Sequence, residues 1–222
     1  MPEPLKVILT GATGMVGEGV LLECLDNPAV TEVLIVTRKP YVGTHPRLKQ
    51  AIAPDFMDLS QIASQLSGYN ACFFCAGISS VGLSEADYTH ITYDTTLHFA
   101  ETLAILNPQM TFIYVSGTGT DSTEKGRSMW ARVKGRTENA LTRLPFHAVY
   151  NLRPGFMKAT PGQKHVKGYY FLFAWLYPIL RTLAPNFVST LRDVALAMIQ
   201  AAQHGYPKST LEVKDINALA KT

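Results

Sequence analysis

Short apolar runs alternate with longer amphipathic stretches from residue 5 to residue 153. LKVILT (5–10), EVLIVT (32–37), LKQAIA (48–53), NACFFCA (70–76), TFIYVS (111–116) and HAVYNLR (147–153) predict strands. Most are apolar nearly throughout instead of strictly alternating, which suits a parallel sheet covered by helices on both faces. Helical periodicity at 14–26, 58–67, 84–106 and 128–143 fills the intervals. Strand, helix, strand in succession predicts an α/β fold with a doubly wound, mostly parallel sheet. The rhythm then changes to a basic connection, KATPGQKHVKG (158–168), an aromatic run, a predicted helix at 189–203 and a tail containing LEV. Residues 1–222 therefore read as a single domain with 158–188 as a small C-terminal apolar cap over the substrate crevice.

Composition narrows the class. Hydrophobic residues make up 47% of the 222 positions and charged residues 17%, against about 25% charged in an average soluble domain. That excludes disorder and points to extra apolar surface. The net charge of +3 comes without any block of five or more like charges, so nucleic acid is not the expected partner. The start, MPEPLKVILTGATG, lacks the basic n-region and long apolar h-region of a secretory leader, and a cytoplasmic location is expected.

The uncharged run GYYFLFAWLYPIL (168–180) is interrupted by Pro178 and is shorter than the ~20 residues of a membrane span, so no transmembrane segment is expected. Three occupants for this run stay open: the protein's own core or a homodimer partner, an apolar substrate, and a membrane surface approached by the basic flanks Lys164, Lys167 and Arg181. Cys24, Cys72 and Cys75 are too few for a disulfide framework. Within ACFFCAG the pair 72/75 would point to opposite faces of a strand, as buried structural cysteines. The six histidines form no helical metal pair, so no metal is expected. Ser116 lacks the flanking glycines of a nucleophile elbow, and serine hydrolase chemistry has no support.

The strongest chemical signal follows the first strand directly. Gly11, Thr13, Gly14, Met15, Val16 and Gly17 lie in TGATGMVG, between strand and helix. Glycines there allow a tight turn, close backbone approach to a pyrophosphate and close helix packing, while the helix start offers N–H groups to an anion. At the end of the second strand, where an acidic residue would bind an adenosine ribose 2′-hydroxyl, stand Arg38 and Lys39. A guanidinium suits a 2′-phosphate, so NADP is expected as the cofactor, with NAD as the alternative.

These residues resemble the short-chain dehydrogenase/reductase superfamily, in its atypical branch of small epimerase-like proteins with a Rossmann-type NAD(P)-binding sheet. The resemblance spans roughly residues 5–157. It implies that Asp55 and Phe56 meet the adenine, that Cys75, Ala76 and Gly77 lie beside the cofactor ribose, and that Pro154, Gly155, Phe156 and Met157 line the nicotinamide side. It also implies a serine after the fifth strand, here Ser116, and a Tyr-x-x-x-Lys pair on the next helix, in which the phenol exchanges a proton, the lysine lowers its pKa and holds the ribose, and the serine orients the carbonyl. The lysine is Lys134, but the tyrosine position holds Trp130, and an indole has no proton to exchange near neutral pH.

Three readings follow. Redox chemistry is lost and nucleotide binding kept; another group, among Tyr93, Tyr88 and Thr118, has become the acid; or the chemistry needs less acid help. Tyr93 lies on the 84–106 helix, whose counterpart in the family runs beside the active site, and joins Ser116 and Lys134 as a catalytic candidate. The expected function is an NADP-binding oxidoreductase acting on a small or apolar carbonyl compound. Its rival is a non-catalytic nucleotide-binding regulator or sensor.

Overall fold

The computed structural model describes residues 3–165, 177, 182, 184 and 186–222. All but one residue of the aromatic run, and most of the segment read as a cap, lie outside the described residues.

Strands β1 (Leu5–Thr10), β2 (Val30–Thr37), β3 (Leu48–Ile52), β4 (Ala71–Phe74), β5 (Thr111–Val115), β6 (Ala148–Arg153) and β9 (Thr210–Glu212) make one sheet in the order β3-β2-β1-β4-β5-β6-β9. Every pairing in it is parallel. The near-continuous apolar runs have a direct cause in this arrangement. Along β1, Val7 and Leu9 enter the core on one face while Ile8 enters the core on the other, so from Val7 to Thr10 every position of the strand is buried.

Helices α1 (Met15–Asp26), α5 (Leu191–His204) and α6 (Val213–Leu219) supply the first face. The other face carries a 3-10 helix (Ser60–Leu66), α2 (Glu85–Thr89), a single π turn (His90–Asp94), α3 (Thr95–Leu106) and α4 (Met129–Leu141). Helix α5 starts on a capping box, in which the Thr190 hydroxyl accepts the Asp193 N–H and Asp193 accepts the Thr190 N–H, which satisfies two backbone donors at the helix end.

Four details differ from the sequence expectation. The 58–67 stretch closes as a 3-10 helix, and the 84–106 helix contains the π turn. The LEV tail is a seventh strand, β9, whose three residues are too short to show a period. Strands β7 (Phe156–Lys158) and β8 (Val188–Thr190) form a separate two-stranded parallel sheet, created by a pairing between segments far apart in sequence. Cys72 and Cys75 do face opposite cores.

Candidate functional site

The sheet order reverses between β1 and β4, so their carboxyl ends open a crevice at the switch point, the usual ligand position in such sheets. The loop from Gly11 to Gly14 fills its rim. Gly11 has φ +75°, and a Cβ there would lie 2.7 Å from the Cys75 carbonyl carbon; at Gly17 it would lie 2.2 Å from the Gly11 oxygen. Both glycines are required by the protein itself. Gly14 is different: its φ of −105° suits any residue, and a Cβ would meet only the Gly11 oxygen at 3.4 Å. As N-cap of α1 it has no capping side chain, so the first-turn N–H groups are left to an anion. Thr13 is exposed, and Met15 and Val16 are half-buried at the start of the helix.

Around this loop the remaining cofactor candidates fall into two groups. Arg38 and Lys39 are exposed just beyond β2, Asp55 is exposed, and Gly77 faces open space. Ala76 donates its N–H to the Thr10 hydroxyl at 3.1 Å, which ties the end of β4 to the end of β1. By contrast, the Phe56 ring is buried and stacks on Phe99 with centroids 5.3 Å apart. An adenine contact through that ring is therefore corrected: it belongs to the core. Gly155 also serves the fold, since a Cβ would lie 2.3 Å from the Phe187 carbonyl oxygen. Pro154 is buried, and Phe156 and Met157 are half-buried within or beside the small sheet.

On the β5–α4 side, the substrate-orienting role expected of the Ser116 hydroxyl does not fit. Ser116 is 5% exposed, and its hydroxyl donates to Glu138 Oε1 at 2.5 Å. Glu138, 2% exposed, in turn accepts from Arg153 Nε at 3.0 Å and Nη2 at 2.5 Å. Arg153 continues to Glu212 at 3.1 Å. This buried carboxylate and guanidinium were not singled out from sequence. The available signal was the spacing of Glu138, one turn beyond Lys134.

Lys134 donates to the Ser116 carbonyl oxygen, and burial draws its pKa down to about 8, opposed by the attraction of Glu138. Trp130 packs its indole toward Gly119. Tyr93 lies in the π turn with the Arg136 guanidinium 4.2 Å above its ring, which brings it against α4 two residues from Lys134. Tyr88 is buried, with its phenol pushed up chiefly by burial, and the Thr118 hydroxyl donates to the Arg153 carbonyl at 2.9 Å. Among the described residues no group of three His, Cys, Asp or Glu is placed to hold a metal, and no helix is long and apolar enough to cross a membrane.

The model of the NAD dependent epimerase/dehydratase family matches residues 7–127. Leucinostatins biosynthesis cluster protein T of Purpureocillium lilacinum is 28% identical over 144 residues, covering 63% of this chain and 52% of that protein. Protein fmp52, mitochondrial, of Emericella nidulans is 26% identical over 158 residues, covering 68% and 66%. The chain thus spans from about half to just under two thirds of the length of these curated relatives.

Among solved structures, Bordetella bronchiseptica WbmF in complex with NAD+ superposes with a TM-score of 0.68 at 17% identity, covering 98% of this chain and 77% of that one. At that identity the likeness is one of fold. The cytoplasmic location expected from the sequence is overturned: the Emericella nidulans relative and an Aspergillus clavatus one are both named as mitochondrial. A search for an export leader does not address a mitochondrial destination.

Proposed function

The chain belongs to the NAD dependent epimerase/dehydratase family, and from that premise we propose that it is an NADP-binding oxidoreductase or epimerase-like enzyme acting on a small or apolar carbonyl compound in mitochondria. The observation that carries the reading is Gly14. Gly11 and Gly17 are demanded by packing, whereas Gly14 has room for a side chain and a backbone conformation open to any residue. Its bareness is explained by a ligand, and an anion at the start of α1 is the ligand the exposed N–H groups favour.

In this reading the first turn of α1 holds the pyrophosphate, and Arg38 with Lys39 meets a 2′-phosphate. When bound, the dinucleotide supplies or accepts a hydride. The protein's own residues then hold the substrate and move one proton. Lys134 is the best-suited carrier, since an ammonium with a pKa of about 8 exchanges protons near neutral pH. Tyr93, braced by Arg136, is the second candidate. Residues 1–222 act as one domain.

The test is Gly14→Ala, which should leave the fold intact and weaken NADPH binding, followed by fluorescence titration, on the order of 10- to 100-fold, the equivalent of ~1–3 kcal/mol of overpacking. Unchanged binding by a folded variant overturns the phosphate-loop reading. A second reading, a nucleotide sensor without turnover, is favoured by Trp130 in the tyrosine position and by the engagement of the Ser116 hydroxyl with Glu138. It predicts tight NADPH binding and no oxidation of NADPH across a panel of apolar aldehydes and ketones.

A further inference from the structure

Helix α1 carries one charged residue in its first turn, Glu18, and it is only 5% exposed. An isolated carboxylate so placed would be costly. Here it is answered by a segment far away in sequence. Its two oxygens accept consecutive backbone N–H groups, from Lys164 at 2.9 Å and His165 at 2.7 Å, and His165 Nδ1 lies 3.1 Å from Oε1.

The same segment is fastened at further points. Gln163 Nε2 donates to the Met15 carbonyl at 2.7 Å, and its Oε1 accepts the Thr160 N–H at 2.7 Å. The Thr160 hydroxyl donates to Glu23 at 3.2 Å. Gly19 supplies the clearance, because a Cβ there would come within 3.2 Å of Gln163 Oε1 and 2.8 Å of Leu191. Residues 160–165 thus form a strap across the turn of α1 that begins at Gly14.

We propose that Glu18 is a positioning residue that latches the 160–165 strap onto the phosphate helix, so that binding of a dinucleotide at the loop and fixing of the strap reinforce each other. Two physical effects give the coupling its sign. A dinucleotide orders the first turn of α1, which carries both strap acceptors, the Met15 carbonyl and the Glu18 carboxylate. In the reverse direction, the docked strap brings two N–H dipoles and an imidazole to a negative charge that would otherwise oppose a pyrophosphate one turn away. Reciprocity requires each event to favour the other by the same factor. The inference rests on the dinucleotide reading above.

The experiment is amide hydrogen exchange across residues 160–165 in the whole protein, without nucleotide and with NADPH, with NADPH binding followed separately by fluorescence. In the parent, the Lys164 and His165 amides should be protected, and more so when NADPH is bound. Glu18→Gln should lower their protection at least about tenfold, as loss of hydrogen bonds to a charged acceptor does, and should abolish the response to NADPH while amides in α5 exchange as before. Glu18→Asp, which keeps the charge, should restore part of both.

Equal protection in Glu18→Gln overturns the latch. Strap protection that ignores NADPH, in a parent that fluorescence shows to be saturated, overturns the coupling. Should NADPH fail to bind at all, the dinucleotide reading fails and the coupling with it, while the apo comparison of parent with Glu18→Gln still decides whether Glu18 holds the strap.

Discussion

The two walls of the crevice satisfy their polar groups in opposite ways. At the β1–α1 wall the backbone is packed to its limit at Gly11 and Gly17, yet Gly14 is exposed and has room for a side chain, and no side chain caps the helix start. On the β5–α4 wall the side chains expected to face a substrate are turned inward: Ser116 donates to Glu138, Glu138 holds Arg153, and Lys134 donates to the Ser116 carbonyl. One wall leaves a helix start without a capping side chain. The other is a brace of buried polar groups, beside which burial draws the Lys134 pKa down to about 8.

The contrast breaks first at Lys134. Lys134→Arg keeps a cation but has no proton to give near neutral pH, and NADPH-dependent carbonyl reduction should fall by ~10²–10⁴ if the lysine is the acid. In the parent, the reductive rate should be level below pH 8 and decline above it, because the folded pKa of about 8 marks where the ammonium loses the proton it donates. A rate indifferent to both changes would return the role to Tyr93, and Tyr93→Phe would show it.

The brace itself is tested by Glu138→Gln, which leaves the Arg153 guanidinium without its buried partner. Urea unfolding should show a loss of ~3–5 kcal/mol. A loss below ~1 kcal/mol would put the pair in the class of surface ion pairs and remove the reason for calling this wall structural.

On the opposite wall the glycines separate by cause. Gly17→Ala must push a Cβ against the Gly11 carbonyl and should cost ~3 kcal/mol of stability with any nucleotide effect secondary, whereas Gly14→Ala should spare stability and cost binding. Arg38→Asp then sharpens the cofactor assignment: isothermal titration should show NADPH weakened at least about tenfold more than NADH, since a charge-assisted pair with the 2′-phosphate becomes a repulsion. The smallest effect belongs to Trp130→Phe, which should leave reduction within about twofold, because the indole has no part in proton transfer.

What the sequence disclosed follows from the range of the interactions involved. Strands β1, β2, β4 and β5 were legible because their apolar runs are buried on both faces, and the phosphate loop was legible because its glycines, strand and helix are consecutive. The roles of Ser116 and Glu18 were not. Ser116 meets Glu138 22 residues away, and Glu18 meets Lys164 146 residues away; no local pattern marks such partners, although a lone glutamate in the otherwise uncharged MVGEGVLL stretch (15–22) was a sign that something polar must answer it. Phe56 was misplaced for the same reason: an aromatic after a strand reads alike whether it stacks on a ligand or on Phe99.

The packing of α1 against the Leu191 end of α5 has a consequence for synthesis. The helix that opens the dinucleotide site emerges among the first residues of the chain, and the surface that covers it is made about 170 residues later. At ribosomal rates of ~5–20 residues per second, the interval is roughly 10–30 s. During that time β1, β2 and β3 can pair and α1 can pack on them, but the side of α1 that meets Leu191 is bare and the Glu18 carboxylate is unanswered. That side of α1 is therefore among the last parts of the wall to be finished, which makes it a place where a chaperone has a long opportunity to act.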